Sequence, residues 1–300
     1  MANLDVKRKG DITIYHYNFN SLDDFLNELI TKKINTRIFP HPESIYGDYN
    51  FTRTNSFEEA WNLCKFTYDG GYQDFSNMVK KIQFKFENTE KIINTYKPVG
   101  SSVNISRFLS GIPNNMRAKE KVYNNPVINI YYQFSYSCST LEGQIKNRGI
   151  LTLALVNYLE NIKKYKVILN FESIVRKDNE IIIITIKLKN ETEKLKIKKC
   201  YFPIVHPSFE RRLSFRVEEI IPNLRANWSL GYGRPLNYQE INEFLNRQFD
   251  KKNTIFISSP LELEIEGNSI FDDADKFIDN INSKYTNLDD DNAKKYFRKK

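Results

Sequence analysis

Between residues 127 and 171 the apolar and polar positions change period twice, with almost no punctuation between the segments. Residues 127–134 alternate apolar and polar side chains, as a half-buried strand does, and stop in a run of small hydroxyl residues, 135–140. Residues 141–162 follow, with Ile145, Ile150, Leu151, Leu153, Leu155, Val156 and Leu159 spread over more than one face, the pattern of a helix buried between a sheet and its neighbours. Residues 166–171 return to a β-rich run. Strand, helix and strand in that order predict a parallel pair with a helical crossover, which builds an open α/β sheet with a ligand-facing carboxyl edge. A polar turn at 177–180 then leads into the run 181–188, which predicts a hairpin whose third strand is antiparallel and lies at the sheet edge.

Further along, residues 194–199 alternate charged and apolar side chains and read as a short strand. Residues 207–220 carry Phe209, Leu213, Val217 and Ile220 at helical spacing. Residues 222–235 read as a loop, 238–249 as a helix, 254–260 as a buried strand ending in small residues, and 271–284 as a closing helix. Upstream, residues 1–10 read as a flexible basic start and 12–17 as a strand. Ser21 with Asp24 reads as a helix cap, and Ser56 with Glu59 as a capping box. Residues 31–55 read as a loop. Residues 73–97, with Phe75, Met78, Val79, Ile82, Phe86 and Ile92, predict one or two helices ending at Pro98. Residues 99–125 read as irregular apart from a helical turn at 106–109. The expected architecture is an α/β fold, a three-layer core with a mixed, mainly parallel sheet over residues 123–286. A mainly helical region, 1–122, packs on that core, and 287–300 is a charged tail.

Composition narrows the class and little else. The 300 residues are 40% hydrophobic and 27% charged, which suits a globular chain, and the formal net charge of +8 biases it toward polyanions. Cys64, Cys138 and Cys200 are odd in number and far apart, so neither a disulfide framework nor a zinc spacing results, and a reduced compartment is expected. No apolar run approaches the roughly 20 residues of a membrane helix, and residues 1–10 lack the apolar segment of a secretion signal. The expected setting is the cytoplasm, without a membrane partner and without a cofactor.

The hydroxyl run places Ser135, Ser137, Ser139 and Thr140 at the end of the first core strand. Order and spacing here resemble the von Willebrand factor A-type fold, in which an Asp-x-Ser-x-Ser motif follows the first strand and a later strand supplies a further Asp to a divalent metal. Residues 135, 137 and 139 occupy the three motif positions, but Ser135 stands in place of the Asp, and the later strand ends in Ser258 and Ser259. Hard cations need carboxylates to offset their dehydration. The resemblance, over 125–285, thus implies the fold without the metal site. Patterns at 56–60, at 107–113 with Met116, at 147–155 and at 206–213 resemble a family encoded by bacteriophages and other mobile elements. That resemblance implies a phage, prophage or plasmid setting and no particular chemistry.

Other candidates are weighed against plainer roles. Gly149 inside the crossover helix allows close helix–sheet approach, while Arg148 beside it could reach an anion at the sheet edge. Arg211 and Arg212 near the start of the 207–220 helix could hold a phosphate, opposed by Glu210. His16, His41 and His206 are isolated, and nothing in their spacing pairs His206 with Ser137 or Cys138 as a nucleophile's base. Lys194, Lys196 and Lys198 interleave with apolar residues, and Arg225, Trp228, Tyr232 and Arg234 share one loop. Rings stack on bases while cations neutralise phosphates, or else the rings simply anchor the loop. Gly231 and Gly233 flank too short a segment for a phosphate loop. The expectation is a non-enzymatic protein that binds nucleic acid or assembles on it. A protein-interaction module using the sheet edge and a metal-dependent hydrolase with unrecognised ligands are the alternatives.

Overall fold

A computed structural model describes residues 2–66, 68–70, 72–82, 90–123, 126–226, 228, 231–245 and 253–285. The chain opens with a hairpin of β1 (Asn3–Lys9) and β2 (Ile12–Phe19), turned at Gly10, whose φ of 61° suits a residue without a Cβ. The start expected to be flexible is therefore a strand, paired residue for residue from Asn3–Asn18 to Lys9–Ile12. Next come α1 (Leu22–Thr31), α2 (Glu43–Tyr46), α3 (Tyr49–Thr52), α4 (Phe57–Lys65) and α5 (Tyr72–Lys81). Ser21 Oγ accepts from the Asp24 N–H at 3.1 Å and Ser56 Oγ from the Glu59 N–H at 3.0 Å, the two caps the sequence signals.

The helical expectation for 73–97 holds over α5 and fails at 90–97. Strand β3 (Glu90–Lys97) pairs antiparallel with β5 (Met116–Tyr123), which also pairs with β4 (Ser102–Val103), and α6 (Ile105–Leu109) lies between β4 and β5. β-Branched and aromatic residues at 92–96 favour a pleated strand over a helix, and 116–123 is not irregular because it supplies the pairing partner. Phe86, assigned to that helix, lies outside the described residues, as do 246–249 and the tail 287–300.

The core follows as β6 (Val127–Gln133), α7 (Glu142–Asn161), β7 (Lys166–Lys177), β8 (Glu180–Lys189), α8 (Ile197–Val205), a π-helical turn (Phe209–Ser214), α9 (Phe215–Ile220), β9 (Arg234–Pro235), α10 (Tyr238–Leu245), β10 (Thr254–Ile257) and α11 (Ile270–Tyr285). The central sheet has the order β1-β2-β8-β7-β6-β10, with β9 also on β7. It is mixed: β10, β6 and β7 are parallel, as are β8 and β2, while β7–β8, β1–β2 and β7–β9 are antiparallel. The β7–β8 hairpin forms as expected, but β8 is not at the edge, because β2 covers it. The four consecutive isoleucines at 181–184 explain why. Ile182 and Ile184 enter the main core, Ile181 and Ile183 a smaller cluster with Leu236, Ile241 and Phe256 on the opposite face, and all four are buried. A strand buried on both faces belongs inside a sheet. The segment 1–122 thus lends two strands to the core and carries a sheet of its own, where a mainly helical region was expected.

Residues 194–199 are not a strand either. The chain enters α8, whose Cys200, Tyr201, Phe202, Ile204 and Val205 are buried in the main core beside α7.

Candidate functional site

The carboxyl ends of β6 and β10 are closed from below by α7. Arg148 is fully buried, and its Nη1 donates to the carbonyls of Gln133 and Ser258, both at 2.8 Å, while its guanidinium lies 4.2 Å from the Tyr132 ring centre. It ties two parallel strand ends together and presents nothing to solvent, so it does not reach an external anion. Ser135 is equally buried. Its Oγ donates to the Ile174 carbonyl at 3.4 Å and accepts from the Ile174 N–H at 3.2 Å, extending the β6–β7 pairing with a side chain. Thr140 is also buried, and its carbonyl accepts from Arg211 Nη2 at 2.7 Å. Of the hydroxyl run, Ser137 and Ser139 reach the surface, with their Oγ atoms 3.0 Å apart. Among the described residues, no three His, Cys, Asp or Glu side chains stand together as a metal site would require.

Beside this edge opens a cleft of about 380 Å³. The loop after β6 supplies Tyr136, Ser137 and Cys138, the π turn Glu210 and Arg211, α9 Phe215, the α2–α3 region Glu43 and Phe51, the segment before β9 Tyr232, and β9 itself Arg234. Glu210, Arg211 and Arg212 follow one another in the π turn, yet all three are buried. Widened turns of this kind recur at functional positions. Glu210 Oε1 accepts from the Tyr136 N–H at 2.9 Å, and burial pushes its carboxyl up to about 8. Arg211 Nη1 donates to the Phe51 carbonyl at 2.7 Å, and its guanidinium lies 4.4 Å from the Phe51 ring centre.

The sequence-derived nucleic-acid residues fare unevenly. Arg212 is fully buried: Nε donates to Thr54 Oγ1 at 2.9 Å, Nη1 to the Ser44 carbonyl at 3.0 Å, and Nη2 to the Gly47 and Thr54 carbonyls, both at 2.8 Å. It ties down the 44–54 loop and does not meet a phosphate. Trp228 is fully buried, and its Nε1 donates to Glu180 Oε2 at 2.8 Å, so its ring anchors the loop and offers no stacking face. Tyr232 stacks on Phe215 at 4.0 Å, while its hydroxyl donates to Glu219 Oε1 at 2.5 Å and accepts from the Glu43 N–H at 2.7 Å, so it is wall and not platform. Arg225 is exposed. Arg234 is exposed but paired with Glu240, Nη1 to Oε2 at 2.8 Å. Lys194, Lys196 and Lys198 are exposed around the start of α8 and do not line the cleft.

Sequence reasoning missed Phe51 and Phe215, whose half-buried rings line the cleft, and it missed Arg176 and Lys177. With Arg234 and the carboxylate of Asp178, these two rim a shallow hollow of about 580 Å³ that shares Gly231, Gly233 and Arg234 with the cleft. Phe51 lies in a segment read as loop and Arg176 between a strand and the polar turn at 177–180, and nothing in their immediate neighbours signals a site. His206 does not line the cleft. Its ring stacks on Phe202 at 4.7 Å, its Nδ1 accepts from the Ser208 N–H at 3.2 Å, and burial pushes it down to about 4.

A family described as a domain of unknown function, DUF7192, matches residues 5–299, and the chain belongs to it. No curated protein and no solved structure matches the chain. Among the described residues no helix is long and apolar enough to cross a membrane.

Proposed function

We propose that this protein is a non-enzymatic binder of single-stranded nucleic acid, with the cleft taking a base and the adjoining hollow the phosphates. The observation that carries this reading is the continuity of the two. A cleft lined by the rings of Phe51 and Phe215 runs into a rim where Arg176 and Lys177, beside an Arg234 paired with Glu240, outnumber Asp178. Rings accept bases whatever their identity, and cations along the same path neutralise the backbone. Glu210 fits the role, because a carboxyl held protonated near neutral pH donates a hydrogen bond without repelling phosphates. The non-enzymatic part draws on Ser137 and Cys138, for which His206 is engaged elsewhere. The order β8-β7-β6-β10 with an antiparallel hairpin supports a three-layered, von Willebrand A-like core. The sequence patterns noted above support a phage or mobile-element setting.

Fluorescence anisotropy of a labelled single-stranded oligonucleotide tests the reading. Dissociation constants below about 10 µM at low salt, weakening steadily with added salt, are expected. Phe51→Leu and Arg176→Gln are each expected to weaken binding several-fold. Absence of binding at low salt, or indifference to both substitutions, overturns the assignment.

A protein partner is the second reading, favoured by one feature. Between residues 93 and 120 no described side chain is buried, and Ile105, Phe108 and Leu109 are 70, 60 and 78% exposed. Apolar surface of this kind marks an interaction face. A stoichiometric, nuclease-resistant partner lost on Phe108→Asp would place function there and away from the cleft.

A further inference from the structure

A second cavity, sharing no residue with the cleft, is lined by more lysines than carboxylates. It lies where the end of β8, the following turn, the start of α8 and the β2–α1 junction meet, and its volume is about 270 Å³. Lys187, Lys189, Lys194, Lys196 and Lys199 line it, and the lining carboxylates are Asp23 and Glu193. Two of the five lysines are committed. Lys189 is buried, bonded to Glu160 at 2.6 Å and to the carbonyls of Val167 and Asn190 at 2.6 and 2.9 Å, and Lys199 holds Asp23 at 2.7 Å. Among the described residues Lys187, Lys194 and Lys196 have no carboxylate partner. No side chain caps α8, a nine-residue helix that begins at this cavity, so its first-turn N–H groups and the positive end of its dipole add to the same field.

Glu193, which accepts from the Asn190 N–H at 3.4 Å, offsets one of these three lysines, and the remaining excess of positive charge suits a compact, multiply charged anion better than a single carboxylate. We infer that this cavity is a binding site for a phosphate group. The volume suits pyrophosphate or the terminal phosphate of a chain. It does not admit a strand running through. The lysine run at 194–198 thereby acquires a role different from a lysine-faced strand lying along a nucleic-acid backbone.

Titration calorimetry at low salt with inorganic pyrophosphate tests the site directly, with the thermal unfolding midpoint as a second readout because a ligand bound to the folded state raises it. Binding below about 1 mM is expected. The doubly substituted Lys194→Gln, Lys196→Gln chain is expected to bind at least roughly tenfold more weakly, each lost charge-assisted hydrogen bond contributing a factor of that order. The control chain Lys33→Gln, Lys166→Gln loses the same charge at exposed sites elsewhere and is expected to bind like the original. A second arm compares one oligonucleotide with and without a 5′-phosphate, each competed with pyrophosphate. Preference for the phosphorylated form identifies a chain end as the source, and pyrophosphate binding without that preference identifies a small phosphorylated molecule. No pyrophosphate binding, or equal losses in both double variants, overturns the site. Neither result bears on Phe51 or Arg176, so failure here is distinguishable from failure of the cleft.

Discussion

Gly149 on α7 meets Ile204 on α8 so closely that a Cβ built on the glycine would stand 2.4 Å from the Ile204 carbonyl oxygen. The same oxygen accepts from the Tyr132 hydroxyl at 3.0 Å, so the glycine sets the distance at which α8 docks over β6. In an exposed helix, replacing glycine with alanine gains about 1 kcal/mol. Here the added methyl meets backbone, which cannot rotate away, and overpacking of this kind costs about 1–3 kcal/mol. Gly149→Ala is therefore expected to lower the urea midpoint. A variant as stable as the original would show that the two helices part freely.

That contact marks where the sequence was legible and where it was not. Glycine in a buried helix pattern signals a close approach, and the caps at Ser21 and Ser56 are local hydrogen bonds written into adjacent residues. The β6–α7–β7 crossover and the β7–β8 hairpin are likewise local. The failures are pairings between distant segments. Residues 3–9 look like a loose basic start until β2 supplies their partner, and the β8 edge assignment fails because β2 pairs with it from far upstream, Thr13 against Glu180. The four consecutive buried isoleucines of β8 did carry a warning, since an edge strand has little use for two buried faces. The cleft was half visible. Ser137, Arg211, Tyr232 and Arg234 reach it, while Trp228, Arg212 and Ser135 turn their polar groups to internal partners and Arg148 is buried with Nη1 on two carbonyls. No pattern of residue types separates an arginine that binds a ligand from one that binds carbonyls.

Glu180 gives the clearest case of an internal partner. Only 3% exposed, it accepts from the Tyr15 hydroxyl at 3.0 Å, the Arg225 and Ala226 N–H groups at 2.9 Å each, and Trp228 Nε1 at 2.8 Å. Glu180→Ala strands the Arg225 and Ala226 N–H groups and Trp228 Nε1, while the Tyr15 hydroxyl keeps the Asn223 carbonyl at 3.0 Å, and the change is expected to destabilise the fold by about 3–5 kcal/mol. In a Trp61→Phe background, where Trp228 is the remaining indole, the emission should shift to the red as the loop opens. In the same background with Glu180 intact, added nucleic acid should leave the emission unchanged. Quenching would return Trp228 to the stacking role the sequence suggested.

Arg212 holds the 44–54 loop through its fork of donors, and a lysine cannot reproduce that geometry. A single ammonium reaches at most part of a set that spans Ser44, Gly47 and Thr54. Arg212→Lys is expected to lower stability by about 2–4 kcal/mol and to speed proteolytic cleavage within the loop, because buried carbonyls lose their donors. Oligonucleotide affinity of the folded fraction should stay within about twofold of the original, in contrast to Arg176→Gln. An equal loss of affinity in both variants would put Arg212 at the interface after all.

The buried carboxyls of the π turn and α9 fix how stability responds to pH. Glu210 sits near 8 in the folded chain and near 4.5 when unfolded, so between those values the folded state holds a proton that the unfolded state has released. Stability therefore falls as pH rises across that window and levels off above about 8. Burial raises Glu218 and Glu219 as well, and they act in the same direction. His206 acts in the opposite sense, because burial brings it down to about 4 from 6.5, and its contribution is lost as pH falls through that lower range. The net expectation is a decline steepest between about 6.5 and 8, where His206 no longer offsets the carboxyls. Glu210→Gln isolates one proton of this response, since an amide oxygen can still accept from the Tyr136 N–H. Its stability relative to the original should climb by about 1.4 kcal/mol per pH unit from 5 to 8 and then stay level. Parallel curves for the two chains, measured by urea unfolding at half-unit intervals, would mean that Glu210 is already ionised in the fold. A cleft carrying that negative charge would be a poor place for a phosphate-flanked base.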